Sequence, residues 1–110
     1  MEMERLVLLN SLVTSSKIPL TLRTTPIPLE FVRYYVRDMD VVSFIGHEAT
    51  ASLLTQLLYI PVPTNRAMYD PMPGDKAIVV RLKKRLEKPE DIKNVKEEDV
   101  EFILVEYSNY

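Results

Sequence analysis

The chain contains no cysteine, one histidine and two glycines, and each scarcity removes a class of chemistry. Without cysteine there is no disulfide framework, no thiolate metal site and no cysteine nucleophile. A lone histidine, His47, excludes a zinc site built from several imidazoles or thiolates within one chain. Gly46 and Gly74 cannot make a P-loop or a dinucleotide fingerprint, each of which needs glycines at fixed spacing. The carboxylates fall into no metal-ligand pattern and no serine nucleophile motif is present, so neither a metal nor a cofactor is expected. No apolar stretch approaches the roughly 18 residues that cross a bilayer. The acidic start, Met1 to Arg5, does not read as a secretory signal. The expected setting is the cytoplasm, with no membrane partner. An excess of one charge is lacking too. The 14 basic and 16 acidic residues give −2, whereas an indiscriminate duplex binder is usually more basic, so no duplex nucleic acid is expected.

What is present is ordinary globular composition. The 110 residues are 46% hydrophobic and 27% charged, enough for one domain over 1–110 with its own core. Eight prolines against two glycines suit restrained loops. Val7 to Leu9, behind Arg5-Leu6 and ended by Asn10-Ser11, reads as a strand closed by a turn. Ile18 to Arg23 alternates as a half-buried strand, with Pro19 placing it near an edge or a strand start. Thr25-Pro26-Ile27-Pro28 reads as a breaker, and Pro28 suits the first turn of a helix. Leu29, Val32, Val36 and Met39 then recur at helical spacing, to an end near Asp38.

Val41 to Ile45 predicts a short buried strand, and His47 to Tyr59 a second helix stopped by Pro61 and Pro63. Asn65 to Tyr69 is a candidate strand, and Asp70 to Asp75 a turn. Ala77 to Leu82 and Phe102 to Val105 are nearly continuous apolar runs, as in strands covered on both faces. Residues 83–99 between them are strongly charged and predict a mobile loop with one helical turn. The class that follows is α+β, or α/β-like, with a mixed sheet of about five strands flanked by helices.

Two stretches carry chemistry. In Ser43-Phe44-Ile45-Gly46-His47-Glu48-Ala49-Thr50-Ala51 a strand ends, glycine permits a tight turn and a helix begins. Free N–H groups at a helix start favour anions, phosphate above all, and glycine lets a ligand approach the backbone. The helix start disfavours a charged imidazole there, while a bound phosphate favours it. A histidine that gains its proton when phosphate arrives suits general acid catalysis. The competing reading is a capping or solvent-exposed histidine. The second stretch, Arg81 to Lys88, places five of the 14 basic residues in eight positions. It is either a phosphate grip on a closing loop or a solvated charge run.

A single histidine narrows the reaction. Water attack at a phosphodiester generally wants a base, an acid or a metal. Attack by a ribose 2′-hydroxyl is intramolecular, so the substrate itself supplies the proximity. The protein then has to hold the phosphate in line and protonate the leaving 5′-oxygen. If His47 is catalytic, the reaction is metal-independent RNA cleavage.

At these residues the sequence resembles the viral ring nucleases, type III anti-CRISPR proteins of archaeal and bacterial viruses that degrade cyclic tetra-adenylate. The matching segments are Leu8-Leu9-Asn10-Ser11, Ile45-Gly46-His47-Glu48-Ala49-Thr50, Asn65-Arg66, and Pro73-Gly74-Asp75-Lys76-Ala77 through Arg85-Leu86. The resemblance implies a homodimer with the cyclic ligand in a pocket across its two-fold axis, and the segment after Leu82 closing over it. His47 matches the catalytic general acid and Arg85 the phosphate-region arginine. Asn10, Ser11, Gly46, Thr50, Arg66 and Arg81 fall at or near positions that line the pocket. The family carries an acidic residue three positions after that arginine. Lys88 stands there in this chain, with Glu87 adjacent as the candidate to substitute. The implied product is linear di-adenylate with a 2′,3′-cyclic phosphate, and clearing the ring would suppress type III CRISPR signalling. The competing class is a non-catalytic binder that sequesters a cyclic oligoadenylate or binds nucleic acid. A purely structural dimer module is the third.

Overall fold

Alternating and near-continuous apolar runs become five strands, and the two helical periodicities become two helices. The structure, a computed structural model, describes residues 4–110; the first three residues, on which part of the secretory-signal expectation rests, lie outside them. In chain order the elements are β1 (Arg5–Leu9), β2 (Leu20–Ile27), α1 (Leu29–Asp38), β3 (Asp40–Ser43), α2 (Glu48–Leu58), β4 (Lys76–Leu82) and β5 (Val100–Asn109). Two 3-10 turns, Pro89–Asn94 and Glu97–Asp99, lie between β4 and β5.

The strands form one mixed sheet in the order β2-β5-β4-β1-β3, the α+β architecture expected. β1 runs parallel to β3 and to β4, while β5 is antiparallel to β4 and β2. Three parallel strands therefore end on one edge of the sheet. Ligand sites of open sheets form at such carboxyl ends.

The alternation of side chains explains the unbroken apolar runs. Leu6, Leu8, Ile78, Val80, Phe102 and Leu104 pack under α1 and α2 against Val32, Leu53 and Leu54. Val7, Leu9, Ala77, Val79 and Val105 point the other way, into a smaller cluster closed by Tyr69 and Tyr107. Burying each such leucine contributes roughly 1.5–3 kcal/mol, so the central strands are fixed from both faces.

Four local expectations change. Pro26 does not break the chain but pairs with Ile103 inside β2; β2 lies at the edge of the sheet, where a missing donor can face solvent. β3 is also an edge strand, and Val41 and Val42 are only half-buried. Asn65 to Tyr69 is no strand: Asn65 donates its backbone N–H to Ile45 O (2.8 Å) and its side-chain amide to Ser43 O (2.9 Å), extending β3 rather than opening a new ladder. The charged segment 83–99 holds two 3-10 turns instead of one helical turn and buries Leu86 to 7% exposure.

The turn before β4 hides a polar network. Asp75 Oδ2 accepts from Arg5 (2.5 Å), from the Tyr69 hydroxyl (2.7 Å) and from the Met72 N–H (3.1 Å). Tyr69 packs edge-on to Tyr107 at 6.0 Å, and the Tyr107 hydroxyl donates to Val13 O at 2.7 Å. Gly74, at φ 91°, supplies the left-handed residue this turn needs. Burial first, and Asp75 second, push the Tyr69 phenol far above its ordinary value of 10.0. The same two causes push Tyr107 up to about 12. A group whose folded value is raised stabilises fully below its unfolded value and loses that contribution as pH climbs. The urea midpoint should therefore hold below pH 10 and fall between pH 10 and about 12. A flat midpoint across that window would mean the phenols ionise freely in the folded chain.

Candidate functional site

The ends of β1, β3 and β4 bring together residues that are far apart in sequence. Asn10 follows β1, Gly46 and His47 follow β3, and Arg81 through Glu87 end and follow β4. Their turn is laced in place. Asn10 Oδ1 accepts the Gly46 N–H (3.3 Å), and Arg66 donates from Nε to Gly46 O (3.1 Å). Ser43 Oγ accepts the Ile45 N–H (3.2 Å) and donates to Pro63 O (2.6 Å). Two details differ from expectation. Gly46 has no left-handed φ, and an added Cβ would meet only Arg66 Cγ, at 3.7 Å, so the turn itself does not demand glycine. Its N–H is occupied by Asn10 and is not free for an anion.

His47 is the N-cap of α2 and is exposed, clear of the core. Its Nδ1 accepts the Thr50 N–H at 3.4 Å and lies 3.2 Å from Thr50 Oγ1. An imidazole that accepts at Nδ1 carries its proton on Nε2 when neutral. The capping reading of His47 is therefore correct, and it orients the ring as well.

A cleft of about 890 Å³ is lined by Asn10, His47, Thr50, Arg81, Arg85 and Glu87, with Lys83 and Lys84. Six of the residues singled out in the sequence thus meet in one place. Ser11, Gly46 and Arg66 do not line it. They line an adjoining groove of about 820 Å³, which Asn10 shares. Arg81 and Ser11 also border a smaller pocket of about 470 Å³ on the face opposite the helices. The groove further takes in Ser15, Ser16 and Lys17, which carried no motif in the sequence.

The cations of the cleft are not equivalent. Lys83 pairs with Glu101 (3.6 Å) and Lys84 with Asp99 (3.3 Å). Arg85, whose side chain is 88% exposed, makes only a long contact with Glu87 (3.8 Å). Arg81 has no ion pair among the described residues. These two arginines are the ones left for an incoming phosphate.

The segment that carries Arg85 is pinned. Asp91 accepts the Lys88 and Glu87 N–H groups, each at 3.0 Å, and those donors hold its carboxyl below the ordinary 3.8. Asp99 accepts the Lys96 N–H (2.9 Å), which lowers its carboxyl likewise. Charge counting reads these aspartates only as members of a solvated run. Their spacing, three residues after the amide they accept, was the available signal. Among the described residues no three acidic or histidine side chains gather into a metal-sized group. Among the described residues no helix is long and apolar enough to cross a membrane.

Known proteins resemble this chain in sequence and in fold. A sequence model of the STIV B116-like family matches residues 6–108. The chain is 36% identical over 69 residues to Uncharacterized protein 26 of Sulfolobus islandicus filamentous virus, a stretch covering 63% of this chain and 58% of that one. It is 45% identical over 62 residues to Uncharacterized protein ORF117 of Acidianus two-tailed virus, covering 56% of this chain and 53% of that one. The chain therefore spans little more than half the length of these two relatives. YddF of Bacillus subtilis is 37% identical over 86 residues, 76% of each chain. Among solved structures, B116 of Sulfolobus turreted icosahedral virus superposes with a TM-score of 0.73 over 93% of this chain and 98% of that one. At 21% identity the likeness is one of fold.

Proposed function

This chain belongs to the STIV B116-like family, and from its site we propose that it is a metal-independent ring nuclease that cuts cyclic tetra-adenylate into linear di-adenylate with a 2′,3′-cyclic phosphate. The observation that carries the proposal is that an exposed, oriented His47 shares one cleft with the two loosely partnered arginines, Arg81 and Arg85. Phosphate held by the arginines is presented to the adjacent ribose. The 2′-oxygen attacks phosphorus, the bond to the 5′-oxygen breaks, and the His47 imidazolium gives its Nε2 proton to that oxygen. Glu87, at the rim of the cleft, is the carboxylate available to take the 2′-hydroxyl proton. The neighbouring groove at Ser11, Gly46 and Arg66 gives the ring room beyond the cut phosphate.

Two cuts per ring call for two sites, which a homodimer with its two-fold axis at the cleft would supply. Its partner would be the cyclic messenger, and its effect the silencing of type III CRISPR signalling in the cytoplasm of an infected host.

Incubation with cyclic tetra-adenylate in excess chelator tests this directly, with di-adenylate as the expected product. A ring recovered intact at every stoichiometry ends the proposal. If that intact ring is also tightly bound, sequestration takes its place.

Arg85→Ala should weaken ring binding about tenfold, the size expected for one charge-assisted contact. Titration of a cleavage-dead background reads this, and an unchanged Kd would remove Arg85 from the grip.

A further inference from the structure

We infer that Thr50 is a positioning residue, and that its hydroxyl keeps the His47 ring in place when the ring gains its second proton. The inference rests on His47 being the general acid and adds the residue that makes this compatible with its capping role. Thr50 borders the cleft but is only 5% exposed, so little of it is open to a ligand. Instead its N–H (3.4 Å) and its Oγ1 (3.2 Å) converge on the same atom, His47 Nδ1.

The two contacts serve different protonation states. A neutral ring has a lone pair on Nδ1 and accepts the N–H, capping α2 and leaving the hydrogen on Nε2. A ring able to act as an acid is charged, and its Nδ1 then carries a hydrogen too. That hydrogen cannot bond to another N–H. It can bond to the Thr50 hydroxyl, which accepts through its lone pairs and rotates to suit. When Nε2 releases its proton to the leaving oxygen, the ring remains as the Nδ1–H form, still held by Thr50 Oγ1. The ring need not turn at any stage. Without the hydroxyl, the new Nδ1 hydrogen meets only the Thr50 N–H and has no acceptor, which drives the ring off its cap.

The other charged groups around this ring are Glu48, next to it in sequence, and Arg81, Lys83, Lys84, Arg85 and Glu87, which line the same cleft. None of them is hydrogen-bonded to it among the described residues, so Thr50 alone fixes Nδ1.

Thr50→Val preserves shape and the backbone donor while deleting the hydroxyl; Thr50→Ser restores it. In the free protein, nuclear Overhauser contacts between the His47 ring and the residue-50 amide are followed through an acid titration, with ring ¹⁵N shifts reporting the proton on each nitrogen. Wild type and Thr50→Ser should keep the contacts in the charged form, and Thr50→Val should lose them. Single-turnover cleavage of saturating cyclic tetra-adenylate should then slow in Thr50→Val by up to about 100-fold, as for a misplaced reacting group. Binding should be unchanged and Thr50→Ser should cut at nearly the wild-type rate. Contacts that persist in charged Thr50→Val overturn the inference. So does a valine variant that cuts as fast as wild type. If wild type cuts nothing, the ring-nuclease proposal fails while the titration still decides the role of Thr50. Should valine prevent folding, Thr50→Ala replaces it in both measurements.

Discussion

If the proposed function holds, replacing His47 with alanine should reduce turnover of cyclic tetra-adenylate to a trace and leave binding of the ring nearly unchanged. The asymmetry follows from where the contacts lie. In the proposal, capture rests on Arg81 and Arg85, which line the cleft, and on the adjoining groove, and none of these needs the imidazole. The chemical step needs a proton at the departing oxygen, and a positioned acid supplies about 10²–10⁴ in rate. The proposed attack is intramolecular, so a trace of cleavage should persist. Alanine also removes the cap of α2, which costs about 1 kcal/mol of stability. His47→Asn separates the two effects, because asparagine caps a helix well but is no acid. It should be as stable as wild type and as inactive as alanine. Single-turnover rates at saturating ring, with Kd measured on the same variants, decide the matter. A rate within tenfold of wild type in both would take His47 out of the mechanism.

What could be read in advance from residues, and what could not, divides along a physical line. Strand ends at Asn10, the helix from Leu29 and the break at Gly46 are local events, governed by turn chemistry and by the period of apolar residues. They came through within a residue or two. The order β2-β5-β4-β1-β3 depends on contacts between distant segments and leaves no trace in any one of them. Pro26 reads as a breaker in the sequence for the same reason. Whether a proline breaks a strand depends on whether the strand has a second neighbour, and β2 has only β5. Asn10, His47, Thr50, Arg81, Arg85 and Glu87, all named from the sequence, line one cleft, and the parallel ends of β1, β3 and β4 explain why they meet. Ser11 and Arg66 were placed with them but face the neighbouring groove. Arg66 reaches the turn by bonding the Gly46 carbonyl, a contact no spacing rule foretells. Asp75 reads in the sequence as a turn residue in one of the matching segments, and nothing there points to the three donors it holds.

Asp75→Ala should therefore be the most destabilising substitution outside the apolar core, with the site chemistry spared. Asp75 sits just before β4, and its partner Arg5 opens β1. Both lie at the starting end of strands whose finishing ends carry Asn10 and the arginines. The Asp75 side chain is 12% exposed while Arg5 is 40% exposed, so the ion pair is only partly screened. The hydrogen bonds to a charged acceptor each contribute roughly 1.5–3 kcal/mol, and they are not additive. Alanine removes all three together and strands the Tyr69 hydroxyl between Phe44 and Tyr107. A loss of about 3 kcal/mol is expected, or roughly 15 °C in Tm for a domain of this size. Asp75→Asn keeps an acceptor for Tyr69 and should lose about half as much. The cleavage rate per folded molecule, measured well below the lowered Tm, should match wild type. If Tm falls by less than about 3 °C, the network is a surface feature and the buried tyrosines are held by packing alone. If the rate falls with Tm, the turn at Asp75 reaches the cleft through Tyr69 and the segment that carries Arg66.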